Sequence, residues 1–327
     1  MADTSFLKVI WPAATAYVFS VFMTSLCKEY WQFMLAQGFL GGFSMGMTMA
    51  PGMAATGQYF NKKRGAAMGI AVAGSSLGGV IFPLALSKML YNHKLGFGWS
   101  VRVCGFIMLA VLGLSCCGIR ARLPPRKGQF FLPRAFKEIR FLSLVGAMFL
   151  IMMGIFVPFF YLPSFAVSHG MSALLASDLV AILNAASFFG RVVPGILADK
   201  FGRLNGLCAA ALASGLLALC WQKITTNAST IVFAVLYGFC SGAIVSLMSA
   251  TMAQVPENPR DIGTYMGMGM FCVSFASLIG PPINGALITH YHGFTQVTIF
   301  SGVVCLAGGF GMLGVKKANG KGIISKY

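Results

Sequence analysis

Residues 195–203 read Gly195-Ile196-Leu197-Ala198-Asp199-Lys200-Phe201-Gly202-Arg203. This polar turn separates two apolar runs, 174–197 and 204–222. Each run has about the 20 residues that carry an α-helix across a bilayer. In lipid a helix satisfies its own backbone polar groups, so only the connecting turn needs water. Within the turn, Gly202 suits a tight bend and Gly195 admits a close helix neighbour. Asp199 is suited to pair with cations or with a helix N-terminus.

Outward from this hairpin the pattern repeats. Apolar runs occupy 9–27, 31–56, 66–90, 99–119, 141–167, 174–197, 204–222, 230–254, 262–288 and 294–315, each closed by charged, Gly- or Pro-bearing turns. These predict an all-α, polytopic membrane protein of about ten spans. Composition agrees: 57% of the 327 residues are apolar and 9% charged, against about 25% charged in soluble domains. The 40 glycines fit helices that pack closely in lipid.

The net charge of +17 does not point to nucleic acid, because the basic residues are spread over several short loops with no aromatic platform. They follow instead the rule that basic loops stay in the cytoplasm. With the N-terminus inside, that side holds Lys8, Lys62, Lys63, Arg64, the basic residues of 120–140, Arg191, Lys200, Arg203, Arg260 and the lysines of the C-terminal tail. The other side holds Lys28, Lys88, Lys94, Arg102 and Lys223. Both termini are therefore expected in the cytoplasm, with the plasma membrane as the expected location. The nine cysteines lie in or beside apolar runs without C-x-x-C spacing and read as small apolar packing residues. Asn227-Ala228-Ser229 is a glycosylation pattern close to the bilayer. No H-E-x-x-H, phosphate-binding Gly loop with Lys, or triad spacing stands out. No enzyme activity, cofactor or metal is expected, and any active transport would be secondary.

The expected organisation is an N-terminal bundle over 1–118, a basic linker over 119–140, a six-helix bundle over 141–315 and a tail over 316–327. Pro124 and Pro125 end the helix before the linker. Its 133–140 stretch reads either as a short basic segment on the inner leaflet or as a solvated loop. The flanking halves repeat. Gly38-Phe39-Leu40-Gly41-Gly42 matches Gly238-Phe239-Cys240-Ser241-Gly242, and Met68-Gly69 followed by Pro83 matches Met266-Gly267 followed by Pro281. Ordered repeats of helical bundles suggest a secondary transporter.

The turn at 195–203 resembles the loop signature G-x-x-x-D-[RK]-x-G-R of the major facilitator superfamily at every specified position. Further stretches resemble its monocarboxylate-transporter-like branch, particularly the fungal members: Tyr59-Phe60-Asn61-Lys62-Lys63-Arg64-Gly65, residues 74–83, Phe189-Gly190-Arg191 and Ile279-Gly280-Pro281-Pro282. The resemblance implies two six-helix bundles, with this chain beginning where the third helix of twelve would begin. It further implies a conformational latch at Gly195, Asp199, Lys200, Gly202 and Arg203, the plainer reading being positive-inside anchoring.

Arg191 is the full charge placed well inside a span. A guanidinium offers a planar fork to a carboxylate, and the resemblance implies that role; the alternative is snorkelling or pairing with a neighbouring helix. In the animal members of the branch it resembles, an aspartate stands four residues earlier, where this chain has Ser187. Without a central proton carrier, facilitated diffusion or exchange is expected. Asn184, Ser75, Ser76, Tyr237 and Asn284 are further candidates to line a path, with helix packing as the alternative. The expected function is alternating-access transport of small monocarboxylate-like anions. Export of a larger fungal metabolite is the alternative within transport, and a non-transporting sensor or inactive homologue lies outside it. The expected partners are the bilayer and a small-molecule substrate.

Overall fold

The computed structural model describes residues 3–60, 62–91, 95–120 and 131–318. Among these the structure is helical, without strands: α1 (Asp3–Thr24), α2 (Tyr30–Phe33), a π-helix (Met34–Gly41), α3 (Gly42–Tyr59), α4 (Arg64–Tyr91), α5 (Gly96–Gly118), a 3₁₀ turn (Pro133–Lys137), α6 (Ile139–Ile155), α7 (Val157–Ser168), α8 (Ala173–Phe201), α9 (Arg203–Cys220), α10 (Asn227–Met252), α11 (Ile262–Tyr291) and α12 (Thr295–Ala318). Eight described helical segments are long and apolar enough to span a bilayer, from Arg64–Leu90 to Thr295–Lys316. The first two expected spans are helical too. The second, however, is not one α-helix, because the π-helix Met34–Gly41 interrupts it. Gly38 and Gly41 lie in this segment and Gly42 follows it, where side chains that would hold regular α-winding are missing. The expected linker stretch 121–130, with Pro124 and Pro125, and the tail beyond 318 lie outside the described residues.

The chain packs as two compact units. One comprises 1–59 and 81–129; the other comprises 60–80 and 130–327. Residues 60–80, expected in the N-terminal bundle, belong to the unit of α6–α12. The reason is local: the first half of α4 carries glycines that let α8 lie against its backbone, as detailed below.

In the first unit α1 packs on α5 and on the π-helix. A Cβ at Gly105 would sit 3.2 Å from the Phe22 ring, and one at Gly41 would sit 3.1 Å from Ser20 Oγ. Arg102 donates from Nε to Ser25 Oγ (3.2 Å), and its guanidinium lies 5.1 Å from the Trp99 ring centre. An apolar-walled cavity of about 460 Å³ opens within this unit, lined among others by Tyr17, Ser20, Thr24, Gln37, Phe82 and Phe97.

In the second unit the expected span 141–167 is broken at Phe156 into α6 and α7. Pro158 has no N–H to give the Gly154 carbonyl. The neighbouring helices repair this, with Ser301 Oγ donating to Gly154 O (2.8 Å) and the Tyr237 hydroxyl donating to Ile155 O (2.8 Å). Tyr237 continues a stacked aromatic row, Trp221–Phe233 at 5.5 Å and Phe233–Tyr237 at 5.4 Å. Trp221 and Tyr237 are fully buried.

Candidate functional site

Two helical stripes meet in the second unit. On α8 they are Asn184, Ser187, Arg191, Gly195 and Asp199; on α4 they are Gly65, Gly69, Val72, Ser76 and Gly79. Both advance by three or four residues, which keeps each set on one face of its helix. The pairing order runs oppositely along the two helices, so they cross antiparallel.

At one end of this seam backbone touches backbone. A Cβ on Gly65 would lie 2.6 Å from Gly195 O, one on Gly195 would lie 2.8 Å from Gly65 O, and one on Gly69 would run into Arg191 O. Only glycine fits these positions without parting the helices. Polar contacts complete the seam. Ser76 Oγ donates to Ser187 Oγ (3.3 Å), and both serines are fully buried. Asn184 donates from Nδ2 to Val180 O (2.9 Å) within its own helix, and its Oδ1 lies 2.5 Å from where a Cβ on Gly79 would sit.

Arg191 is 8% exposed and crosses the seam. Nη1 donates to Val72 O (2.8 Å) and to Ser75 Oγ, while Nε is buried without an acceptor. Among the described residues no carboxylate pairs with it. The serine at 187 explains why: the position one turn away holds a small neutral group, already bonded to Ser76.

Asp199 closes the seam. Its two carboxylate oxygens accept from the amides of Gly65 and Ala66, each at 2.9 Å. These amides belong to the first turn of α4, where N–H groups lack intrahelical acceptors and the helix dipole is positive. Oδ1 also faces Arg203, with Nη2 at 2.9 Å and Nε at 3.0 Å. Gly202 joins α8 to α9 at φ +99°, a backbone conformation that favours glycine. Lys200 is exposed. Arg64 extends the arrangement, donating from Nη1 to Ala253 O (2.7 Å), at the C-terminal end of α10, and from Nε to Phe60 O (3.0 Å).

The structure thus gathers Arg191, Ser75, Ser76 and Asn184 at one helix crossing, next to Gly195, Asp199 and Arg203. Tyr237 and Asn284 lie away from this crossing. The Tyr237 hydroxyl donates to Ile155 O within an aromatic core, at the Pro158 break. Asn284 is fully buried and donates from Nδ2 to Gly280 O (2.7 Å), in the double-proline turn of α11. Sequence reasoning missed Arg64 and Gly69 as seam residues, though both lay in quoted motifs. It also missed the cavity wall at Gln37, an amide in an otherwise apolar run.

A family model described as Major Facilitator Superfamily matches residues 7–259 and, in a second overlapping match, 179–325. An aspyridones efflux protein from Emericella nidulans is 54% identical over 320 residues, covering 97% of this chain and 66% of that protein. An agnestins efflux protein from Paecilomyces divaricatus is 43% identical over 296 residues, 89% of this chain and 67% of its own length. The chain therefore spans about two thirds of the length of the curated relatives it matches. Among solved structures, an E. coli fucose:proton symporter superposes with TM-score 0.73 at 15% identity, over 95% of this chain and 84% of the other. A human organic anion transporter gives 0.75 at 17%, over 94% and 77%. At such identities these two likenesses concern the fold alone.

Proposed function

The chain belongs to the major facilitator superfamily, and on that premise we propose that it works as a secondary carrier exporting a small fungal metabolite with an acidic group. The observation that carries the reading is the α4–α8 seam. It is held by contacts that two helices can make and break as units: backbone amides on a carboxylate, a guanidinium on neutral oxygens, serine on serine. Asp199 on the first turn of α4 favours the joined state. Parting the seam frees the Arg191 guanidinium, which in the joined state has only Val72 O and Ser75 Oγ as partners. A cargo carboxylate or other acidic group then offers it a charged acceptor, which it has from none of the described residues. Alternation between the two states moves the cargo.

The relatives named for efflux of aspyridones and agnestins support export of a secondary metabolite. They favour that cargo class over the small monocarboxylate implied by the branch resemblance. The basic loops support cytoplasmic termini and the plasma membrane as the site of action. The serine at 187 supports a cycle without a proton carrier beside Arg191.

Export from cells producing an acidic secondary metabolite tests the reading. Arg191→Ala is expected to lower transport kcat/KM at least thirtyfold, the scale of losing about 2 kcal/mol from a charged pair, with Arg191→Lys intermediate. Unchanged export in Arg191→Ala at equal expression removes the anion-binding role.

A further inference from the structure

The turn that leads into α6 presents three exposed cations around one acid that is already hydrogen-bonded. Pro133–Lys137 is a 3₁₀ helix, in which residues three apart eclipse. Arg134 and Lys137 therefore share a face, and Arg140 follows in the first turn of α6; all three are exposed. Among the described residues no carboxylate pairs with them. The acid in their midst, Glu138, is exposed as well, and its Oε1 accepts from the Tyr265 hydroxyl at 2.5 Å. The backbone beneath is fixed: Ala135 is fully buried, and Phe136, Phe141 and Tyr265 form an edge-on aromatic chain with centroid distances of 5.5 and 5.2 Å. Phe131, Ile139 and Leu142 are exposed beside the cations. The spanning segment begins at Ile139, so the turn sits at headgroup level.

We propose that this turn is a binding site for an anionic phospholipid, its phosphate held by Arg134, Lys137 and Arg140 and its acyl chains lying on Phe131, Ile139 and Leu142. Charge complementarity selects the partner: three exposed cations outnumber the one acid among them, which is engaged by Tyr265, and beside an apolar flank they fit a phosphate that carries lipid tails. The site is independent of the cargo and of the α4–α8 seam.

The test is thermal unfolding of the purified full chain in mild detergent, titrated with phosphatidylinositol, with phosphatidylcholine or with soluble inositol phosphate. Phosphatidylinositol is expected to raise the unfolding temperature where phosphatidylcholine does not. The R134Q/K137Q/R140Q variant is expected to weaken its apparent affinity about a hundredfold, roughly fivefold per charge. Lys223→Gln, in a different exposed turn, is expected to leave it unchanged. If the triple variant does not accumulate, Arg134→Gln alone should show the fivefold loss. Equal stabilisation by phosphatidylcholine, full affinity in the charge variants, or an equal shift from soluble inositol phosphate alone would overturn the proposal.

Discussion

Asp199→Asn isolates the element that holds α8 to α4. In the native seam each carboxylate oxygen accepts one first-turn amide at 2.9 Å. Arg203 lies 2.9 Å from Oδ1, and the two side chains are only 10% and 8% exposed, so water screens the pair weakly. Asparagine keeps one acceptor oxygen, and its NH₂ accepts nothing. One amide bond is lost, the other loses its charge, and the attraction to Arg203 goes with them. Hydrogen bonds to charged groups contribute about 1.5–3 kcal/mol each, so the joined seam should lose about 3 kcal/mol. That corresponds to roughly a 150-fold shift toward the parted state. The readout is Ser76→Cys, fully buried at the seam, placed in a variant lacking the nine native cysteines and challenged with a water-soluble maleimide. Labelling rate follows the parted fraction while that fraction is small. Asp199→Asn should accelerate it by about two orders of magnitude, with an equal loss of thermal stability in the seam-dependent transition. Labelling unchanged within a factor of two would refute the reasoning, because it would mean that the carboxylate does not bias the helix crossing.

Gly69→Ala should also part the seam, since its Cβ meets the Arg191 carbonyl and a backbone atom cannot rotate away; overpacking of this kind costs about 1–3 kcal/mol. Gly74→Ala, whose Cβ would meet nothing within 4 Å, is the matched control and should unfold at the native temperature or above in the same calorimetric scan. Tyr237→Phe should lower the unfolding temperature by a few degrees, because it leaves the buried Ile155 carbonyl without its partner at a cost of about 1–3 kcal/mol. Its transport KM should stay native, and a changed KM would restore Tyr237 to the cargo path.

Most of the architecture could be read from single-residue chemistry. Long apolar runs broken by charged turns specify membrane helices, because lipid forces each segment to satisfy its own backbone; eight described spans meet that criterion. The motif at 195–203 was legible for a related reason. A charged turn with a glycine at its C-terminal corner depends on neighbours in sequence, and Gly202 indeed adopts φ +99°. Two interruptions escaped. The π-helix Met34–Gly41 differs from α-winding by a small local free energy that hydropathy does not register. The break at Phe156 required weighing Pro158 against donors on α10 and α12.

The candidate site divides along the same line. Arg191 was visible because a charge in an apolar run is costly wherever the run packs, and Asp199 because a carboxylate between two helices has few stable uses. What they touch was decided by the tertiary structure. Asp199 meets amides more than 130 residues away in the chain, and Arg191 meets a carbonyl 119 residues away. Gly65 and Gly69 look like any others among 40 glycines until α8 lies on them. Tyr237 offers the same polar tip whatever it faces, and only the packed helices bring the Ile155 carbonyl to it. Polarity and span length are properties of residues and short segments, so the sequence alone determined them. Partners are properties of a pair of surfaces, and those exist only once the helices have packed.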